Sequence, residues 1–430
     1  MMISVRTLVV AAALMALVAL PSSACLNDRD TLANEANRYP NVLQTITGRF
    51  ERNPPLYYQM RIQRVTAELK ADPSIVADYD DVGVANDRIG KDDEAIAWMD
   101  RKLDLLKKSG DSTADLKEQW YRYYANTGTF WMHRWVRAGA DRGRIDAVVH
   151  ARDLIQHALD IKPDAHFGRE KYQLKVMSWV IEGSGRPLAD YLRYDMSGSP
   201  LPYNRRMEPV TALCGIVVLG SAWESVDIFD AISTLLYRNS MGGSDGRRLA
   251  YLANLRCQEL IDTGHGSLVP DRPTGEALKK TLLLSTHGFE DPDGSDVGNY
   301  RILRTEADRW QIQRTNYMML RLKAGDHPDT DAKFWAGFRD DGPPHIANTL
   351  DEAIYLAMGK PFGMEFFLFW LLFWLVASIV GWVGAKWVVC RWRRRRGAPV
   401  ASTGPDWAWG DKIPDAQESA GDDRDGRGGG

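Results

Sequence analysis

Between Cys25 and Gly363 apolar residues recur every three to four positions, and alternating runs bounded by turn residues are nearly absent. That period belongs to amphipathic helices, so the pattern predicts an all-α chain. Two apolar runs break it. Thr7 to Leu20 is uncharged, follows Arg6, and ends at Pro21-Ser22-Ser23-Ala24 before Cys25. A short apolar core with small residues at its exit reads as an export signal over 1–24. Cys25 is the candidate lipidation acceptor, against ordinary cleavage or a free thiol. The second run, Phe366 to Ala385, contains 20 uncharged residues and predicts one transmembrane helix over 364–390.

Charge orients that helix. Lys386, Arg391 and Arg393 to Arg396 follow the run, whereas Lys360 and Glu365 are the charges nearby on its other side. The positive-inside rule then puts a basic, disordered tail, 391–430, in the cytoplasm and residues 25–363 outside. The expected place is a single pass through the inner membrane with a periplasmic N-terminal domain. Membrane lipids would be met by the helix and by the arginine cluster. Ala377, Gly381 and Ala385 fall on one helix face and are candidates for self-association, though such residues are also ordinary in membrane helices.

Within the exported part, 79–103 reads YDDVGVANDRIGKDDEAIAWMDRKL. Tyr79, Val82 and Gly83 precede a turn at Gly90, and Ala95, Met99 and Leu103 follow on a second helix. Small residues at Gly83 and Ala95 let two antiparallel helices approach, while larger ones fill the gap to the next pair. Partial copies flank this unit: Leu69 and Pro73 upstream, then Tyr124 to Gly128 with Ala151, Ile155, Ala158, Leu159 and Pro163 downstream. This order resembles the tetratricopeptide repeat (TPR) over 25–195, most closely over about 42–165. One departure is the spacing from Gly128 to Ala151, 23 positions where the family has 12, which suits a longer first helix.

The resemblance implies a helical-hairpin solenoid whose concave face, lined by first-helix side chains, binds a protein or peptide. Carried onto this chain, that face shows Asp80, Asp81, Asp87 and Arg88 from one unit, and Arg122, Asn126, Thr129 and His133 from the next. A solvated helix face would show the same residues. After the polar stretch 196–203, a second helical region of degenerate repeats runs to 363, with further helices over 205–262, 273–325 and 346–358 and a loop at Glu290–Asn299.

Composition narrows the chemistry. With 54 Lys+Arg against 57 Asp+Glu, the net charge of −3 offers no field for nucleic acid. The chain has four cysteines, too few for a disulfide framework; the apolar contexts of Cys214 and Cys257 suit buried free thiols, with a disulfide between them as the alternative. No GxxxxGKS, HExxH, paired CxxC or GxSxG occurs. His150 and His157, seven apart, are poorly placed to share a metal ion, and Asp291 to Asp296 reads as an Asp/Gly turn better than as a calcium loop. Gly264-His265-Gly266-Ser267 follows a helix, where glycine is an ordinary C-cap. No catalytic residue, metal or cofactor is expected. The sequence therefore points to a membrane-tethered, extracytoplasmic interaction scaffold. The alternatives are an exported hydrolase whose site converges only in three dimensions within 200–360, and a purely structural envelope component.

Overall fold

The computed structural model describes residues 42–109, 113–163, 169–220, 222–239, 244–285 and 294–343. The export signal, Cys25, the helix expected at 346–358, the transmembrane segment with Ala377, Gly381 and Ala385, and the basic tail lie outside the described residues. Thirteen α-helices and no strand occur among the described ones. None of these helices is long and apolar enough to cross a membrane.

The chain begins with α1 (Val42–Thr47) and α2 (Pro55–Ala71), then α3 (Val76–Arg88) and α4 (Asp92–Lys108). Proline at the first position of α2 lacks only an N–H that the helix does not need there. Gly90, at φ +76°, makes the turn after α3. Asp92, Asp93 and Glu94 occupy the first turn of α4 and Lys107 and Lys108 its last, complementing the helix dipole. The longer helix predicted next is α5 (Ala114–Arg137), whose N-terminus is capped by the Thr113 hydroxyl accepting from Leu116 N at 3.2 Å. It pairs with α6 (Asp146–Ile161), and α7 (Arg169–Glu182) and the short α8 (Leu188–Leu192) follow.

Small residues permit the close approaches that the pattern required. A Cβ on Gly83 would sit 2.8 Å from Met99 Cε, and one on Gly128 would sit 2.8 Å from the Ala151 carbonyl oxygen. Ala95, Met99, Ala151 and Ile155 are fully buried beside them.

Beyond residue 200 come α9 (Glu208–Gly220), α10 (Val226–Asn239), α11 (Ser244–Asp262), α12 (Gly275–Ser285) and α13 (Ser295–Lys323). The start of α13 at Ser295 corrects the loop expected to reach Asn299: left-handed Gly294 turns the chain, and Asp296, in the first helical turn, pairs with Arg248 at 2.7 Å. The largest apolar cluster contains residues from both sides of 200, including Ile46, Trp179, Leu213, Phe229 and Leu252.

An open row of hairpins leaves its first and last units apart, but here they meet. Arg61 Nε donates to Asp329 at 2.8 Å, Arg49 pairs with Glu306 at 3.1 Å, and Arg314 reaches Asn53 and Glu51 at 3.0 and 3.2 Å. His327 stacks on Tyr57 at 4.6 Å, and its Nε2 lies 3.0 Å from the Tyr57 carbonyl oxygen. The segment after α13 thus holds α2 in place.

Candidate functional site: a cleft lined by cations

The expected open groove is filled. Asp80, Asp81, Asp87, Asn126 and Thr129 are buried, and Arg88, Arg122 and His133 are only partly accessible. At Asp80, Lys102 Nζ donates at 2.6 Å and Asn126 Nδ2 at 3.0 Å, and Lys102 also donates to Gln119 at 3.0 Å. Burial pushes the Asp80 carboxyl up and the Lys102 ammonium down, each opposed by its partner's charge. Thr129 Oγ1 donates to the Ala125 carbonyl at 2.8 Å and accepts from Gln173 Nε2 at 2.9 Å, while Arg122 pairs with Glu118 at 3.0 Å. These residues pack hairpin against hairpin, because the period that marks a helix face does not say what covers it.

At one end this set meets α9. The last carbonyls of α9, the negative end of the helix dipole, face two basic side chains: Arg88 Nη2 donates to Leu219 O, and His133 Nε2 lies 2.8 Å from Gly220 O. His133 Nδ1 lies 2.9 Å from Asp87, so the two ring nitrogens bridge that carboxylate and the end of α9. Arg137 donates to the same carboxylate at 3.1 Å and to Asp92. Burial pushes Asp87 up, but His133, Arg137 and Arg88 outweigh it and hold the carboxyl below its ordinary range.

Beside this contact lies a cleft of about 950 Å³. Its walls come from residues 44–58, α5, α7, α9 with the turn after it, and the loop 264–268. Apolar side chains such as Met132, Val136, Val176, Ile216 and Val218 form much of the surface. Arg49, Arg52, Arg88, Arg137, Arg169, His133 and His265 bring cationic or basic groups to it, against Glu51, Glu224 and Asp227. Concave, largely apolar spaces with a few polar groups are where ligands bind.

The residue that sets the cleft's character is Trp223, in the turn Ala222–Glu224. Its ring lies under three guanidinium groups: Arg256 at 3.7 Å, Arg52 at 5.2 Å and Arg304 at 5.4 Å. Gly48, at φ +84°, passes so close that a Cβ would lie 2.7 Å from the indole. Glu259 pairs with both Arg256 and Arg304 at 3.0 Å, and Asp308 with Arg304 at 2.7 Å. Burial raises the Glu259 carboxyl, but hydrogen bonds from Arg304 and Tyr300 bring it down to about 2. Arg52 has no ion pair among the described residues. Burial and the neighbouring Arg304 and Arg256 charges lower its guanidinium to about 10.

The loop 264–268 is fixed from below. Asp227 accepts from Leu268 N at 2.8 Å and from Arg272 Nη1 at 3.0 Å, and Arg272 also holds Asp230 at 2.8 Å. Burial raises both carboxyls above the usual range. Gly264, at φ +94°, ends α11 as the sequence predicts, with His265 N donating to Leu260 O at 3.0 Å.

Of the two readings open for Cys214 and Cys257, the structure has the buried free thiols and not the possible disulfide: both are free and buried, on α9 and α11. Cys257 Sγ contacts Val226 O at 3.6 Å, and burial pushes the Cys214 thiol up to about 12 and Cys257 well above its usual value. Such thiols act as small apolar side chains. Among the described residues no group of three His, Cys, Asp or Glu is placed to hold a metal ion. His150 lies against Trp131 and His157 against Tyr124, each ring centroid about 5 Å away.

Arg52 and Trp223 are among the cleft residues that sequence reasoning missed. Both stand outside the α-helices, where periodicity carries no signal; the one hint is Trp223-Glu224 interrupting an apolar run. Fold and site together define an all-α protein with a cation-lined cleft between its packed hairpins. No family model, curated protein or solved structure matches the chain.

Proposed function

We propose that this protein is an extracytoplasmic binding scaffold of tetratricopeptide-like hairpins, tethered to the inner membrane by its C-terminal apolar run, and that a segment of a partner protein enters the cleft beside α9. The cleft carries this reading: an apolar recess of about 950 Å³ rimmed by basic groups, large enough for several side chains. The leader-like 1–24, the apolar 366–385 and the arginines after it support the location.

The hydrolase alternative would draw on Asp227, His265 and Ser267, which share the cleft. Asp227 is engaged by Leu268 N and Arg272, as expected of a loop anchor. Among the described residues no hydrogen bond joins His265 to Ser267 or Asp227. Binding is therefore the better reading.

Site-specific photo-crosslinking of the full chain in its native membrane tests it. A crosslinker at Val136, in the cleft, should give a discrete protein adduct that one at Ile302, exposed outside the cleft, does not. Equal adducts from both positions, or none from Val136, would overturn it.

A further inference from the structure

Three guanidinium groups surround Trp223, and the two carboxylates beside them are engaged by Arg256 and Arg304. Arg52 lines the cleft, stacked on Phe50 at 4.8 Å and on Trp223, and its Nη1 is buried without a hydrogen-bond partner among the described residues. An N–H group left dry and unpaired, on a cation crowded by two others, is a costly arrangement that an incoming anion relieves. Arginine suits a carboxylate, which its planar fork can meet with two parallel hydrogen bonds.

On another wall, Gln173 donates through Nε2 to Thr129, but its Oε1 is buried and unpartnered. The cleft wall thus carries an unused donor group and an unused acceptor, each buried in the free protein and brought to a ligand by a shift of its side chain. A fatty acid would supply a carboxylate but no N–H for Gln173, whereas an apolar peptide carrying one acidic side chain supplies both.

We propose that the cleft reads an acidic side chain, Asp or Glu, within an otherwise apolar peptide segment, with the carboxylate meeting Arg52 beside Trp223 and a backbone N–H meeting Gln173. This inference rests on the binding function proposed above and assigns the chemistry of its ligand. Arg52 adjusts its guanidinium on the Trp223 face to bring its unpaired edge to the carboxylate, while Arg256 and Arg304 occupy the two nearby carboxylates and leave the Arg52 charge uncompensated.

The test uses the immobilised full chain in lipid nanodiscs and a random library of short peptides built from Leu, Val, Phe, Ala, Gln and Glu. The peptides are acetylated and amidated, so that side chains carry the only carboxylates. Captured peptides are sequenced by mass spectrometry. At one position Glu should exceed Gln by about tenfold, equivalent to about 1.4 kcal/mol. Arg52→Gln should abolish that preference, and Arg52→Lys should keep part of it. Capture with Glu and Gln in the library ratio would sink the acidic subsite while leaving the binding function standing. A preference that survives Arg52→Gln in a folded variant would overturn the role of Arg52. Where that variant does not fold, the ratio on the unmodified chain together with Arg52→Lys decides. No capture at all would overturn both the binding function and its subsite, and retention of decanoate over decanol without peptide capture would replace the peptide by a fatty acid.

Discussion

His133 Nε2 on α5 stands 2.8 Å from the carbonyl oxygen of Gly220, the last residue of α9, and its other ring nitrogen lies 2.9 Å from Asp87. One side chain therefore joins a buried carboxylate of the first hairpins to the end of α9. His133→Ala removes both of these contacts at once. It should destabilise the full chain by about 2–4 kcal/mol, read from thermal unfolding by circular dichroism. A variant as stable as the parent would show that α9 is held by its apolar contacts alone.

The closure between α2 and the segment after α13 makes a second prediction. Arg61 and Asp329 are almost fully buried and hydrogen-bonded to each other. Arg61→Met removes one of the two guanidinium groups on Asp329 and leaves Arg64 as its counter-charge, at a cost of about 1–3 kcal/mol. Hydrogen exchange should then quicken together in 55–71 and 326–340 and not in α10 or α11. Uniform acceleration across the whole chain would mean that this contact is not a separate unit of stability.

Stability should fall as the solution is taken from acid to neutral pH through one buried group. Glu170 accepts from the Tyr121 hydroxyl at 2.6 Å, and burial raises its carboxyl from 4.5 to about 7. Between those values the folded chain holds a proton that the unfolded chain has lost. The group's contribution is thus fully present below about 4.5 and is lost by about 7, a change on the order of 3 kcal/mol. Glu170→Gln should flatten that part of the stability profile, and an unchanged slope in urea titrations at several pH values would refute the assignment.

Two glycines at helix contacts should respond differently to the same substitution. At Gly128 a new Cβ meets the Ala151 carbonyl oxygen, which belongs to the backbone of α6 and cannot yield without separating α5 from α6. At Gly83 it meets the terminal methyl of Met99, which can rotate away. Gly128→Ala should cost about 1–3 kcal/mol and Gly83→Ala markedly less, by chemical denaturation.

Cys214 and Cys257 should resist iodoacetamide in the native full chain and react once it is unfolded, without prior reduction. Mass mapping of the two peptides reads this directly. Fast native labelling would mean that α9 and α11 are less tightly packed than they stand here.

The helical hairpins were legible because their determinants are local. Gly83, Gly90, Ala95 and Met99 lie within one short stretch, and Gly128 with Ala151 and Ile155 repeats the same logic across a longer helix. The polar set was located on the right helices but given the wrong surroundings. Asp80, Asp87 and Asn126 have the spacing of a wetted face, yet Lys102, His133 and Arg137 convert them into buried, paired groups. Nothing in a helical period distinguishes a charge facing water from one facing a counter-charge.

By itself, the sequence determined that the described part of this chain is helical, where its hairpins turn and which small residues let them touch, since hydrophobic period and glycine placement act over a few residues. Only the tertiary structure decided that neighbouring hairpins fill the would-be groove and α9 ends against it, that residues after α13 lock α2, and that Arg52 meets Trp223 over a cleft. Those outcomes depend on partners far apart in the chain, whose charges and shapes become complementary only once the helices have packed.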